Sequence, residues 1–154
     1  MPDTLCSIYE QCRHLHNPRL HFLCGIEAGI VFRDLSELRI AAREECVKTV
    51  LVLSGCLFEA ILFCLIRSQQ ELIREKRGEF VFKFNMTLDA MVNIFNRWLK
   101  ISERIPDQVV ANRNFVHLAV ELEEMEARPI MERVVFMLRQ MNLLLEDLAQ
   151  RFAN

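Results

Sequence analysis

The chain has 154 residues, of which 52% are hydrophobic, and carries a net charge of −2 at pH 7. This length fits one domain with a single core, and only four glycines and four prolines argue against sandwiches, barrels, linkers and disorder. Because non-specific nucleic-acid binding depends on an excess of basic residues, the charge restricts any RNA contact to a local one.

The cysteines do not predict a disulfide framework. Four of the six lie in helical or apolar segments, and a chain of this size has core enough to fold without disulfide bonds. They are Cys6, Cys12, Cys24, Cys46, Cys56 and Cys64. The pattern indicates reduced thiols and a cytoplasmic protein. We expect no signal peptide, because the N-terminus lacks a basic region followed by an apolar run.

The first segment combines a predicted helix with a group of cysteines and histidines. Apolar spacing predicts a helix over residues 4–17, whereas residues 19–32 fit either a short helix or a docked loop. The group consists of Cys6, Cys12, His14, His16, His21 and Cys24. Zinc binds such side chains, but Cys6 and Cys12 would lie on nearly opposite faces of the helix. We therefore interpret them as core cysteines and surface histidines, and predict neither a metal nor a cofactor.

A capping box predicts the start of the longest helix. Asp34 is followed three residues on by Glu37, which places the N-terminus at Leu35. The helix is expected to run to about Arg74, with a break or bend near Ser54-Gly55, and to stop at Gly78. The small residues at Ser54-Gly55-Cys56 also predict a place where another helix approaches closely.

Residues 50–66, "VLVLSGCLFEAILFCLI", are apolar over a length that could span a bilayer. Glu59 lies near the middle, where a charge costs about 2.5–3.5 kcal/mol on insertion scales, and charged helical sequence continues on both sides. We predict a buried central helix and no membrane contact; a small membrane-associated protein is the weaker alternative.

The rest of the chain predicts three more helices and no strand. Thr87 is a suitable N-cap for residues 88–101, Pro106 opens the next segment up to Leu122, and Pro129 lies in the first turn of the last helix. We expect an all-α, up-and-down bundle of four to five main helices in one domain, residues 1–154. Within it, residues 1–33 form an N-terminal extension and residues 34–152 the bundle core. The wide apolar faces of the helices predict a homodimer.

One local basic patch is present. It contains Arg74, Lys76, Arg77 and Lys83, together with Phe80 and Phe82. Basic and aromatic side chains together could hold single-stranded nucleic acid, but a solvated helix end is the interpretation that we favour.

The stretch "VVANRNFVHLAV", residues 109–120, carries the candidate chemistry. On a helix, Arg113 and His117 lie on one face and Asn114 borders it. A neutral imidazole could take a proton from a 2′-OH of RNA while the guanidinium binds the phosphate. The alternative is structural: Arg113 and His117 could form a network with Glu59, whose buried carboxylate would need a partner. From the spacing alone, we favour the structural interpretation.

The same residues carry a family resemblance. "RNFVH", preceded by "TLDAMVNIFNRWLKI" and by "VLVLSGCLFEAILFCL", resembles HEPN-like helical domains of prokaryotes. The resemblance covers residues 34–148 and implies a helical bundle that often pairs through its motif-bearing helices. Many HEPN domains are metal-independent RNases of toxin–antitoxin, phage-defence or RNA-processing systems, and others are non-catalytic modules that bind nucleotides or proteins.

Carried over to this chain, the resemblance assigns the possible catalytic set to Arg113, Asn114 and His117. Glu59, the partner expected from its place in the apolar segment, would support them. Only three residues separate Arg113 from His117, whereas the active members of the family have four to six. Leu118 replaces the proline that often follows the histidine, and the acidic "ELEEMEAR" that comes next would repel RNA. These departures favour a degenerate motif.

We therefore expect a cytoplasmic, homodimeric interaction module with a regulatory or defence role. A protein partner such as an antitoxin or a nucleotidyltransferase is implied by the resemblance. The alternative is a metal-independent endoribonuclease, an RNase toxin, that uses Arg113 and His117 on an RNA substrate.

Overall fold

The computed structural model describes residues 3–23, 25–99, 104–115 and 130–151, and within these ranges it is all α-helical, with no strand. The all-α class is therefore confirmed. The described α-helices number seven. They are α1 (Leu5–Gln11), α2 (Gly25–Arg43), α3 (Val47–Ser68), α4 (Gln70–Arg77), α5 (Leu88–Ile94), α6 (Gln108–Asn114) and α7 (Ile130–Arg151). A 3₁₀ turn at Arg13–Leu15 follows α1, and a π-helical turn at Phe95–Leu99 continues α5.

Helix α3 is the centre of the bundle, because it contacts α2, α5, α6 and α7. It is long and apolar enough to cross a membrane by length and composition, with a mean hydropathy of 2.4, yet 61% of that apolar window is buried inside the protein. Leu57, Phe58 and Ile61 are fully buried in it. The continuous apolar sequence thus meets helices on several sides, as expected of a core helix.

The prediction of one long helix from Leu35 is wrong in two respects: the helix begins earlier, and it is interrupted. The helix begins ahead of the capping box, so that Asp34 lies inside α2. The chain then breaks at Glu45, which has a φ of 55° and bonds the Leu5 and Cys6 amides of α1 through its carboxylate, at 2.9 and 3.0 Å. Helix α3 is continuous through Ser54-Gly55, where we expected a bend.

Three local predictions about helix ends and packing are confirmed. Gly78, with a φ of 91°, ends α4, since a glycine reaches this region without steric cost. The Thr87 hydroxyl accepts the Ala90 amide at 3.2 Å and caps α5. Another helix does approach closely at Gly55: a Cβ there would lie 2.7 Å from the Arg113 Cγ of α6.

The N-terminal residues share the core of the bundle. Leu5, Ile8 and Tyr9 of α1 and Leu15 of the 3₁₀ turn are buried, and this region contacts both α2 and α7. The predicted division between residues 33 and 34 falls inside α2. Of the predicted helix up to Leu122, the part after residue 115 lies outside the described residues, as does Pro129.

Candidate functional site

The predicted contact between Glu59 and Arg113 is present in the structure. The Arg113 Nε lies 2.8 Å from the Glu59 Oε1, and the two side chains are 33% and 32% exposed. Gly55 makes the contact possible: its missing side chain lets α6 approach α3 at Arg113, and Glu59 lies one helical turn farther along α3. The ion pair is therefore half-buried between two helices, not sealed in the core.

The ion pair lines an open pocket of about 810 Å³ between α2, α3, α6 and the loop before α5. Arg113 is the single basic side chain among the described lining residues, whereas Asp34, Glu59 and Asp89 contribute carboxylates. Asn114 is exposed at the same pocket. This charge balance disfavours a phosphate group and favours neutral or cationic ligand groups.

The pocket also has an aromatic wall. The rings of Phe63, Phe82 and Phe84 contact one another with centroid distances of 4.9, 5.6 and 5.8 Å, and Phe63 and Phe84 line the pocket. Phe84 is highly exposed. The wall gives the pocket an apolar side that could pack against an apolar or aromatic partner group.

Two of the three carboxylates are already paired. Glu59 binds Arg113, and the Asp34 Oδ1 accepts hydrogen bonds from the Arg33 Nε and terminal nitrogen at 2.9 and 2.7 Å. Another candidate for chemistry in the pocket, besides these carboxylates, is the thiol of Cys56. Partial burial, followed by the nearby charges of Glu59 and Asp34, raises the pKa of the Cys56 thiol. It therefore stays protonated near neutral pH and is a poor nucleophile.

The predicted site residues divide into three groups. Arg113 and Glu59 are in direct contact, and Asn114 borders the pocket that they line. His117 lies outside the described residues, so that the imidazole's place in the candidate set stays a prediction.

The sequence interpretation missed a buried polar network on another side of α6. Asn112 and Arg133 are 0% and 3% exposed, and the Asn112 Oδ1 accepts hydrogen bonds from the Gln108 side chain at 2.8 Å and from Arg133 at 3.1 Å. The Arg133 guanidinium also lies 4.1 Å from the ring centroid of Phe115, within cation–π range. A sequence signal existed: Arg133 falls on the same helical stripe as the buried Met137 and Met141.

The predicted basic patch serves the fold at several positions. Arg74 binds Glu71 and donates from its Nε to the Phe80 carbonyl at 3.1 Å, and the Lys76 ammonium donates to the Trp98 carbonyl at 3.0 Å. Phe80 is buried. These contacts agree with a helix end and its connecting loop.

Comparisons of this chain with protein-family models, with curated proteins and with solved structures gave no match. The HEPN resemblance therefore stays a prediction. Among the residues that the structure describes, no three or more His, Cys, Asp or Glu side chains are grouped so that they could hold a metal ion.

Proposed function

We propose that the protein is a non-catalytic, HEPN-like interaction module of the cytoplasm that acts as a homodimer in a regulatory or defence role. The observation that carries this proposal is the Arg113 guanidinium, which binds the Glu59 carboxylate in a pocket that holds two further carboxylates. A phosphate of RNA would have to displace Glu59 and approach Asp34 and Asp89, and both steps cost electrostatic energy.

The dimer is proposed to form through one face of α2. Ile26 is 84% exposed, and Ile30 and Ile40 are also exposed. Together with Arg33 and Glu37, they follow each other at steps of three and four residues and so form one stripe of the helix. We call these five residues the α2 stripe.

Four residues of the α2 stripe complement one another when two copies of it pair. If two copies pair antiparallel about a two-fold axis midway between Arg33 and Glu37, Arg33 of each copy lies against Glu37 of the other. The same axis places Ile30 against Ile40. A two-fold interface requires this kind of self-complementarity, and exposed apolar side chains gain free energy when a second copy covers them.

Two measurements test the proposal. Sedimentation of the purified protein should give a dimer that Ile30→Glu converts to a monomer. Incubation of a mixed RNA pool with the protein in EDTA should give no cleavage, with His117→Ala as the matched control. If the parent protein cleaves RNA and His117→Ala abolishes the cleavage, the protein is an endoribonuclease instead. If the parent protein sediments as a monomer, the proposed dimer is wrong.

One observation favours the alternative, a metal-independent endoribonuclease. Arg113 and Asn114 border a pocket that is open to solvent, which an active site requires and a sealed structural network does not. The Glu59→Gln variant separates the two functions. In an RNase, removing the competing carboxylate charge should release the guanidinium and change the cleavage rate, whereas an interaction module should stay inactive.

A further inference from the structure

A second candidate site lies at the end of α1, in the segment whose histidines the proposed function does not use. From residue 11 to residue 26 the sequence contains no acidic residue, but it contains Arg13, His14, His16, Arg19 and His21. In a chain with a net charge of −2, this concentration of basic groups makes a local positive field.

The fold holds this segment against α7. Leu15 and Leu20 are buried and anchor the backbone on both sides of Asn17. The His14 amide donates to the Asn142 side chain of α7 at 2.9 Å. Because the apolar residues point inward, Arg13, His16 and Arg19 remain exposed.

One imidazole is fixed in orientation as well. The His16 ring stacks on Tyr9 with a centroid distance of 5.1 Å, and its Nε2 lies 3.1 Å from the Tyr9 carbonyl oxygen. The Glu10 carboxylate lies 3.7 Å from the same nitrogen and also binds Arg43 at 3.1 Å. The positive charge of the segment is thus only partly offset.

The basic side chains enclose a cavity of about 240 Å³, which we call the N-terminal basic cavity. It is lined by Arg13, His14, His16, Asn17, Pro18 and Arg19, and by Leu145 and Ala149 of α7. None of the described lining residues is acidic. Within the described part of the chain, neither Arg13 nor Arg19 forms an ion pair, so that both guanidinium groups are available to a ligand.

We propose that the N-terminal basic cavity binds the phosphoryl group of a small phosphorylated molecule. Two arginines and His14 offer several N–H donors to one anion, and guanidinium groups match the oxygens of a phosphate through paired hydrogen bonds. The Asn17 amide supplies a further neutral donor. A dianionic phosphoryl group uses this donor set more fully than a carboxylate does.

The dimensions favour a small ligand over RNA. Cavities that enclose a whole drug-sized ligand measure about 300–1,000 Å³, so this smaller one fits a phosphoryl group while the rest of the molecule extends outward. Single-stranded RNA needs a basic groove that follows several phosphates, with aromatic rings for its bases. The aromatic wall of Phe63, Phe82 and Phe84 belongs to a different pocket, the one around Arg113, which Phe63 and Phe84 line.

The test is calorimetric titration of the full chain with sodium pyrophosphate at constant ionic strength. We expect saturable binding with a Kd below about 1 mM. The variant Arg13→Gln/Arg19→Gln should weaken it by at least about tenfold, because two charge-assisted contacts are lost. The matched control is Arg97→Gln, which removes an exposed arginine on the π-helical turn and should leave the Kd unchanged.

Two further measurements are needed, one to check that the variants are folded and one to test RNA as the ligand. Far-ultraviolet circular dichroism must show that the double variant is folded, which its exposed positions predict; if it is unfolded, the single variants Arg13→Gln and Arg19→Gln are titrated instead. The second measurement uses a labelled oligouridine. The proposal is overturned if pyrophosphate shows no saturable binding to the parent, if the arginine variants bind it as the parent does, or if oligouridine binds at the two arginines and pyrophosphate does not displace it.

Discussion

The two sides of helix α6 carry two guanidinium contacts that differ mainly in their access to water. On one side, Arg133 reaches Asn112 and the Phe115 ring from α7 and is 3% exposed. On the other side, Arg113 binds Glu59 of α3, and a third of its side chain is exposed at an open pocket. Two consecutive residues of one short helix thus differ in their access to water: Asn112 takes part in a buried contact, and Arg113 takes part in a contact that is open to solvent.

The difference separates structure from function. A buried polar group that loses its hydrogen-bond partner costs about 1–3 kcal/mol, so that removing one member of the Asn112–Arg133 contact should be strongly destabilising. An ion pair whose side chains are about one third exposed contributes about 1 kcal/mol or less to stability, so that it can be broken at a smaller cost than the buried network. We therefore expect the Arg133 contact to determine whether the helices stay together and the Arg113 contact to determine what the pocket binds.

The largest effect is expected from Arg133→Ala. It removes the donor to Asn112, the contact with Phe115 and most of a buried side chain, and should lower the free energy of unfolding by about 3–5 kcal/mol. Urea denaturation measures the loss. Arg133→Met, which keeps an apolar stem in the cavity, should lose clearly less.

The control for that pair is Arg139→Ala, an exposed position on the same helix, with an expected change within about 0.5 kcal/mol. If Arg133→Ala and Arg139→Ala had the same free energy of unfolding, the buried contact of Arg133 would contribute no more to stability than an exposed arginine does. The proposed difference between the two sides of α6 would then be wrong.

The next effect concerns how closely α6 approaches α3. A methyl group at Gly55 would lie 2.7 Å from the Arg113 Cγ, an atom close to the backbone that cannot easily move away. Gly55→Ala should therefore destabilise the protein by about 1–3 kcal/mol, against the stabilisation that Gly→Ala normally gives inside a helix.

Gly29 offers the matched control, because a Cβ there meets no atom within 4 Å. Gly29→Ala in α2 should stabilise the protein by about 0.5–1 kcal/mol. Thermal and urea unfolding measure the change in the free energy of unfolding for both variants. A loss for Gly55→Ala with a gain for Gly29→Ala would establish the close approach, whereas changes of the same sign would show that α6 lies farther from α3.

A smaller effect is expected from Glu59→Gln. Both partners of the ion pair are about one third exposed, so that the loss of the carboxylate charge should cost less than about 1 kcal/mol. The comparison with Arg133→Ala is the informative one: a Glu59→Gln variant as unstable as Arg133→Ala would mean that the open contact is structural after all.

The sequence predicted the periodic parts of this fold best. The all-α class, the Thr87 cap, the Gly78 stop and the close approach at Gly55 each follow from a local rule about residue type. The prediction of one long helix failed because the break depends on Glu45, whose carboxylate bonds the Leu5 and Cys6 amides, 40 and 39 residues away in the sequence. No local pattern encodes such a contact.

The candidate site was predicted in part for the same reason. Glu59 and Arg113 could be paired from the sequence because each places a charge within a strongly apolar segment, and such charges need partners. Asn112 and Arg133 were missed because the site prediction rested on Arg113 and Asn114, which match a motif and lie beside Asn112 in the sequence. The apolar residues at helical spacing from them, Val109 before Asn112 and Met137 and Met141 after Arg133, carried the better indication of burial.

The smallest effect is a change in the reactivity of Cys56. Partial burial and the charges of Glu59 and Asp34 raise the pKa of this thiol, so that little thiolate is present near neutral pH and alkylation should be slow. Glu59→Gln removes one of these charges, lowers the pKa and should speed alkylation by about twofold. Peptide-resolved mass spectrometry after brief iodoacetamide treatment measures the rate at Cys56, and the exposed Cys46 serves as the internal reference. An unchanged ratio of the two rates would mean that the Glu59 charge does not reach the thiol, because it stays neutralised by Arg113.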